Sequence, residues 1–321
     1  MRAVFDMDNI AHTLTGLVVR DAAPKRLFGS KAFLWASLLI ANAPDIDICL
    51  MPFGMATYLK YHRGITHSLF SVPIWGLIGA ILALYLSRKK LPFLLSWLWL
   101  SIIVILHIAV DWITTYGTEL FAPFSHITYS ANLFPIFDPW FILILSLTSI
   151  AVSRIKRFSR KIVIFIGIIA MLFYSGTRVY CKYSSEHLVD SRFGPVAEIF
   201  SFPNIENIGA WLNPTKFRIV TVSGEMASSY DVSPLTGRTD FQRTTYIFSK
   251  GDEFWEEVDS YELGRVFVER SSLPIIYVGD DFLALSDLRY SATAGQNGGL
   301  TLYFEMNDGR ISGPPSFDKP H

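Results

Sequence analysis

A histidine and an aspartate inside a long apolar run are the first candidates for chemistry in this sequence. His107 and Asp111 stand four positions apart, so a helix would project both side chains from one face, about one turn apart. An imidazole and a carboxylate at this spacing can bind one metal ion or two adjacent ions. An uncompensated ionisable group in such a run costs about 2.5–3.5 kcal/mol. The pair therefore predicts a metal site, with a hydrogen bond between the two side chains as the structural alternative.

Two further acids follow the first long apolar run. Asp45 and Asp47 belong to the sequence Pro-Asp-Ile-Asp, which begins at Pro44. Two carboxylates so close together repel each other unless a cation or water compensates their charge. Pro44 marks a break where both acids and nearby backbone carbonyls can turn toward a shared cavity. The motif predicts cation binding, and solvation of both acids at a helix end is the alternative.

A segment with two histidines and an arginine precedes the next apolar run. It covers His62–Ser68 and reads His-Arg-Gly-Ile-Thr-His-Ser. The imidazoles of His62 and His67 can bind a metal ion, whereas the guanidinium of Arg63 can hold an anionic oxygen. The alternative is a polar interfacial loop in which Arg63 meets lipid phosphates.

The composition indicates a membrane protein with a soluble part. Of the 321 residues, 51% are hydrophobic and 17% are charged, and the mean hydropathy is +0.34. Lys plus Arg and Asp plus Glu both number 28, so the net charge offers no argument for a nucleic-acid partner. The two cysteines form no zinc-binding pattern, so imidazole and carboxylate groups would have to hold any metal.

Five apolar stretches must position these residues. Each has about 17–22 residues, near the length that crosses a hydrocarbon core of ~30 Å. They lie near residues 31–50, 69–87, 92–113, 134–153 and 162–180. A short helix over about 8–20 contains His12 and is too short to cross alone. The predicted fold class is a membrane α-helical bundle of about five transmembrane helices plus this N-terminal helix, with a small C-terminal β-rich domain outside the membrane.

The segment after residue 182 changes to short β-branched and aromatic runs between Gly and Asp turns, which predicts a small antiparallel sheet. The predicted strands are Phe217–Ser223, Arg243–Ser249, Val266–Arg270, Ile275–Val278, Phe282–Leu285 and Leu300–Glu305. Asp287 and Arg289 alternate along one strand and are predicted to pair, with binding of a substrate anion as the alternative. We therefore expect a transmembrane metal-site domain over 1–182 and a β-rich soluble domain over 183–321.

The basic residues predict the orientation in the membrane. Lys and Arg cluster at 88–90 and at 154–161, and loops of this kind face the cytoplasm. The Pro-Asp-Ile-Asp and His-Arg-Gly motifs, with His107, Asp111 and Asp138, then fall at the extracytoplasmic face, together with the C-terminal domain. The basic loops that set this orientation contain none of these residues, so their common location supports a shared site.

The motif order AHTLTG, PDID, HRGITHS, HIAVDW, YGTELFAPF and IFDPWF resembles the membrane-bound metal-dependent hydrolases described as inner-membrane-associated and LexA-regulated. The resemblance is close over residues 8–145 and loose beyond, through LNPTKFR and SDLRY. The order is also distantly similar to that of secreted zinc phospholipases C. The resemblance implies metal ligands at His12, Asp45 or Asp47 or both, His62, His67, His107 and Asp111. Thr66, Ser68 and Asp138 are further candidates, as side chains that surround the ligands.

With such ligands, zinc is the expected cofactor, and manganese or iron is the alternative. A water molecule made acidic by the metal would attack, while Asp45 or Asp47 takes its proton and Arg63 neutralises a phosphoryl oxygen. A site at the boundary of an inner (plasma) membrane favours a lipid or lipid-linked phosphoester as substrate. The alternatives are a membrane peptidase or amidase with the same site, and a metal sensor or transporter without catalysis. The sequence leaves the oligomeric state open.

Overall fold

The computed structural model describes residues 8–154, 159–194, 198–206, 208–290 and 300–319. The chain divides into two compact units. The first comprises Met1–Cys49 and Tyr61–Thr177, and the second comprises Leu50–Lys60 and Arg178–His321. The break between Thr177 and Arg178 and the boundary expected at residue 182 both fall within one long helix.

Helices account for most of the described residues before Gly194. In chain order they are α1 (Asp8–Ala22), α2 (Lys25–Phe28), α3 (Lys31–Ala41), α4 (Met55–Tyr61), α5 (Val72–Leu86), α6 (Phe93–Ile113), α7 (Pro139–Arg154) and α8 (Arg160–Phe193). The 3₁₀ segments between them are Pro44–Phe53, Ile65–His67 and Leu69–Ser71. The short helix predicted over residues 8–20 is confirmed as α1.

A buried acid decides where α7 begins. One carboxylate oxygen of Asp138 accepts hydrogen bonds from the backbone N–H groups of Trp140 and Phe141, at 3.0 and 2.8 Å. Such a cap satisfies N–H groups that have no partner inside the helix. The helix therefore starts at Pro139 and not at residue 134, where the apolar stretch of the sequence begins.

Helices α1, α3, α5 and α6 share one apolar core. Phe33 and Leu100 are among its fully buried side chains. Small residues let these helices approach closely, since a Cβ atom at Gly16 of α1 would lie 2.6 Å from the Cβ atom of Ala41 in α3. The backbones of α1 and α3 thus run side by side near the residues that precede the Pro-Asp-Ile-Asp motif.

Among the described residues, the helices long and apolar enough to cross a membrane are Leu69–Leu86, Phe93–Ile113 and Arg160–Phe193. Helix α3 and the 3₁₀ segment Pro44–Phe53 qualify together as a fourth span, bent by 52°. Helix α7 is apolar but has only 16 residues. The structure therefore supports three to four spans, and the predicted count of five is not confirmed. Residues 155–158, in the predicted basic loop 154–161, lie outside the described part of the chain.

Two four-stranded antiparallel sheets occupy the described residues beyond α8, where the sequence predicted one small sheet. The first has the order β1 (Glu198–Pro203), β2 (Phe217–Ser223), β3 (Met226–Ser233) and β4 (Arg238–Tyr246). The second has the order β5 (Pro274–Val278), β6 (Phe282–Asp287), β7 (Thr301–Asn307) and β8 (Arg310–Ile311). The connections contain the short helices α9 (Ile208–Trp211), α10 (Trp255–Ser260) and α11 (Glu262–Arg270).

The predicted strand Val266–Arg270 is wrong, because this segment belongs to α11. Val266 and Phe267 continue a helical spacing from Leu263, but a window of five residues is too short to reveal that period. The predicted strand Arg243–Ser249 covers only the end of β4, and β1, β3 and β8 were not predicted. The remaining predicted strands coincide with β2, β5, β6 and β7 to within two residues at either end.

The predicted pairing of Asp287 with Arg289 is confirmed. The carboxylate of Asp287 accepts from Nε of Arg289 at 2.8 Å and from the backbone N–H of Ser272 at 2.9 Å. The guanidinium of Arg289 also donates to the backbone carbonyl of Arg270, at 2.7 Å. These buried contacts join the end of β6 to the segment before β5, which is a structural role.

Candidate metal centre

Four side chains converge inside the first unit to form a site that could hold a metal ion. The ligand atoms of His12, Asp45, His107 and Asp111 all lie within 4.8 Å of one another. We refer to these four residues as the His/Asp cluster. Nε2 of His12 lies 3.4 Å from Oδ1 of Asp111, and Nε2 of His107 lies 3.7 Å from Oδ1 of Asp45.

Three structural elements supply the cluster. Helix α1 carries His12, α6 carries His107 and Asp111, and the 3₁₀ segment after α3 carries Asp45. The imidazole rings of His12 and His107 stack, with their centroids 3.7 Å apart. Gly16 permits close packing of α1 on α3, and this packing brings His12 of α1 to His107 and Asp111 of α6.

The backbone of α3 sets the orientation of His107. Nδ1 of His107 lies 2.8 Å from the carbonyl oxygen of Ala41, which can only accept, so Nδ1 carries the proton. In the neutral imidazole, Nε2 is then an acceptor with its lone pair directed into the cluster. Histidines that bind metals are commonly held in this way by a carbonyl or carboxylate behind the ring.

Because its polar atoms are buried, the cluster destabilises the fold unless a cation binds there. Oδ2 of Asp111 lies 3.2 Å from Nε2 of His107, and neither atom makes a hydrogen bond within the described part of the chain. The side chains of these residues are 0% and 1% exposed, so water does not reach them. Two buried acceptors that face each other are destabilising unless a cation lies between them. The residues therefore fit a divalent metal.

His67 lies against the cluster, as the sequence predicted for a ligand. Its Nε2 atom is 3.2 Å from Oδ1 of Asp45 and 3.4 Å from Oδ2 of Asp111. Burial lowers the pKa of His67, so its ring is neutral at pH 7, the form that can bind a metal. The hydroxyl of Thr66 lies 2.9 Å from Nδ1 of His67 and orients the ring. Thr66 thus supports a predicted ligand.

Arg63 pairs with the cluster through a carboxylate. Its Nη2 atom lies 2.9 Å from Oδ1 of Asp111, and its Nη1 atom donates to the hydroxyl of Thr114 at 3.2 Å. The ring of Tyr116 lies 5.2 Å from the guanidinium carbon. Thr114 was not predicted from the sequence, although its position three residues after Asp111 places it about one helical turn away.

Asp47 and His62 form a separate pair beside the cluster. Oδ2 of Asp47 lies 3.1 Å from Nδ1 of His62, accepts from the backbone N–H of Arg63 at 2.9 Å, and lies 3.7 Å from Nδ1 of His67. The cluster itself contains neither Asp47 nor His62. Of the two acids in the Pro-Asp-Ile-Asp motif, only Asp45 belongs to the cluster.

Ser68 and Asp138, which were also predicted to surround the ligands, form hydrogen bonds that stabilise local structure. The hydroxyl of Ser68 donates to the carbonyl of Ile65 at 3.0 Å and closes the 3₁₀ turn that carries His67. Asp138 caps α7 and accepts from the hydroxyl of Tyr174 at 2.8 Å. Their described hydrogen bonds therefore shape the segments around the site and do not reach the ligands.

The sequence matches the family model described as YdjM inner membrane protein over residues 7–184, more than half of the chain. The uncharacterized protein YfhP of Bacillus subtilis (strain 168) is 37% identical over 152 residues, which is 46% of this chain and 46% of that protein. The inner membrane protein YbcI of Escherichia coli (strain K12) is 30% identical over 87 residues, 26% of this chain and 48% of that protein. The chain thus spans about half the length of the curated relatives it matches. No solved structure matches it significantly. The chain belongs to the YdjM inner membrane protein family.

Proposed function

We propose that this inner membrane protein is a metal-dependent hydrolase that cleaves a phosphoester of a lipid or a lipid-linked substrate. The observation that carries the proposal is the His/Asp cluster, where Nε2 of His107 and Oδ2 of Asp111 face each other at 3.2 Å. Zinc is the expected ion, with manganese or iron as alternatives, because the donors are imidazole nitrogens and carboxylate oxygens. A bound zinc ion would supply Lewis-acid chemistry and lower the pKa of a water molecule toward ~7.

Asp45 marks the accessible side of the cluster. Its side chain is 21% exposed, whereas those of His107 and Asp111 are almost completely buried. A substrate therefore reaches the cluster at Asp45. Its Oδ2 atom is itself buried and makes no hydrogen bond within the described part of the chain, so it can accept the proton of an attacking water molecule. We assign Asp45 this role, in addition to its place among the ligands.

Arg63 supplies positive charge next to the cluster. A guanidinium stays protonated at neutral pH, so it binds anions and not metal cations. In this structure it contacts the carboxylate of Asp111. In the proposed reaction it shares its charge between Asp111 and a phosphoryl oxygen of the substrate, where negative charge develops.

The position of the cluster supports a lipid substrate. His67 precedes the candidate span Leu69–Leu86 by two positions, and Asp111 lies two positions before the end of Phe93–Ile113. The site thus belongs to one end of two spans, where headgroup phosphates border the hydrocarbon. The basic residues 88–90 connect the opposite ends of these spans, so we place the site at the extracytoplasmic face. A transport path would instead have ionisable residues near mid-membrane.

The test is a hydrolysis panel on the purified protein loaded with zinc in detergent micelles. The panel contains phospholipids, a polyprenyl phosphate and a peptide amide. We expect phosphate or a phosphorylated headgroup to be released by the wild type and by His187→Ala, which alters an exposed histidine of α8. We expect no release by His107→Ala. Cleavage of the peptide amide alone would indicate an amidase, and bound zinc without any turnover would favour a metal sensor.

A further inference from the structure

The segment between α6 and α7 exposes large apolar side chains. Within its loop 117–130, the side chains of Phe121, Phe124 and Ile127 are 41%, 79% and 62% exposed. Single exposed apolar residues are ordinary on protein surfaces, but a cluster of them marks an interaction site. We call residues 117–130 the interfacial loop.

Contacts with the first turn of a candidate span fix the depth of the interfacial loop relative to the membrane. The backbone N–H of Leu69 donates to the carbonyl of Leu120 at 3.0 Å. The rings of Phe70 and Phe124 pack edge to face, with centroids 5.0 Å apart. Leu69 and Phe70 begin the span Leu69–Leu86, so Phe124 lies at the level where this span enters the membrane.

The loop has a defined structure. Thr118 and Tyr129 exchange two backbone hydrogen bonds of 2.9 Å, which join its two arms. The ring of Phe121 packs on that of Tyr129 at 5.5 Å. The backbone N–H of Glu119 donates to the carbonyl of Arg63 at 3.0 Å, so the loop is fixed to the segment that borders the His/Asp cluster.

We propose that Phe121, Phe124 and Ile127 dock the interfacial loop into the boundary between headgroups and acyl chains of the bilayer, beside the metal centre. Their apolar surface continues from the exposed side chains of Leu69 and Phe70 at the start of the candidate span Leu69–Leu86. Irregular backbone does not enter the hydrocarbon core exposed to lipid, because its N–H and C=O groups need polar partners. The loop therefore stays at the level where headgroups and water can meet the polar residues between its apolar side chains.

Site-directed spin labelling can measure this depth without any assay of hydrolysis. The background variant is Cys49→Ser, since Cys49 is exposed and Cys181 is buried. Labels are introduced by Phe124→Cys and Ile127→Cys, with Leu235→Cys in the turn between β3 and β4 as an exposed apolar control. The protein is placed in bilayer discs of phosphatidylethanolamine and phosphatidylglycerol. Collisions with oxygen, which partitions into lipid, are compared with collisions with a water-soluble nickel chelate.

We expect the labels at 124 and 127 to lose nickel collisions relative to position 235 while they keep oxygen collisions. Equal nickel collisions at all three positions would place the loop in water and overturn the proposal. Loss of both kinds of collision would show that protein, such as a second copy of the chain, covers the loop, and this also overturns it. The Cys49→Ser background without an introduced cysteine must show no spin-label signal, which confirms that Cys181 does not react. The result is independent of the hydrolase proposal.

Discussion

Replacing Gly16 by alanine tests whether the contact between α1 and α3 positions the metal ligands. Gly16 follows His12 by one helical turn, and a Cβ atom there would lie 2.6 Å from the Cβ atom of Ala41. The carbonyl of Ala41 accepts the hydrogen bond that orients His107. A Gly16→Ala substitution therefore pushes apart the backbone of α1, which carries His12, and the backbone of α3, whose carbonyl at Ala41 orients His107.

The expected loss of zinc affinity follows from the overlap between the added Cβ atom and the Cβ atom of Ala41. Carbon atoms are in optimal contact at about 3.5–4.0 Å, so the two backbones must separate by about 1 Å. Overpacking of this kind costs about 1–3 kcal/mol. If this strain is expressed at the cluster, zinc binds about 5- to 150-fold more weakly, because 1.4 kcal/mol corresponds to a factor of ten.

The assay is a zinc titration against a chelator of known affinity, with thermal unfolding to verify that the variant folds. The matched control is Gly176→Ala on α8, where no atom of the described residues outside the local helix backbone lies within 4 Å of the added Cβ atom, so the zinc affinity should not change. A folded Gly16→Ala variant with the zinc affinity of the wild type would refute the idea that this helix contact positions the ligands.

Substitutions at three further residues separate the roles of the side chains around the cluster. Thr66→Val removes the hydroxyl that orients His67 and should weaken zinc binding about 10- to 100-fold in the same titration; unchanged affinity would contradict the orienting role. Asp138→Ala removes the cap of α7 and should cost about 0.5–2 kcal/mol in thermal unfolding, with zinc affinity unchanged; a loss of zinc would instead place Asp138 in the site. Arg63→Ala should retain zinc but lose about 10²–10³ in turnover, and Arg63→Lys should not restore it; full turnover with alanine would exclude the anion-binding role.

Features that depend on local spacing could be predicted from the sequence. The shared face of His107 and Asp111 follows from the helical period within one element. The strand Phe217–Ser223 follows from its β-branched residues and the glycine turn after it. By contrast, β3 is rich in serine, and its pairing with β2 depends on the neighbouring strand, which a local pattern does not contain.

Contacts between elements could not be predicted in this way. The carbonyl that orients His107 belongs to Ala41, 66 positions earlier, and no sequence pattern links the two. Asp45 and Asp47 are equivalent in sequence, yet the 3₁₀ segment directs Asp45 to the cluster and Asp47 to His62. The bend of 52° after α3, which places these acids, is likewise a property of the packed helices.

Elemental analysis of the purified protein decides whether the His/Asp cluster binds a divalent metal ion. We expect stoichiometric zinc, or manganese or iron, in the wild type and in the His187→Ala control. We expect a marked loss of that metal in His107→Ala and in Asp111→Ala, each compared at an equal amount of folded protein. A wild type that binds none of these metals after loading would contradict metal binding by the cluster. Unchanged metal content in both cluster variants would contradict it as well.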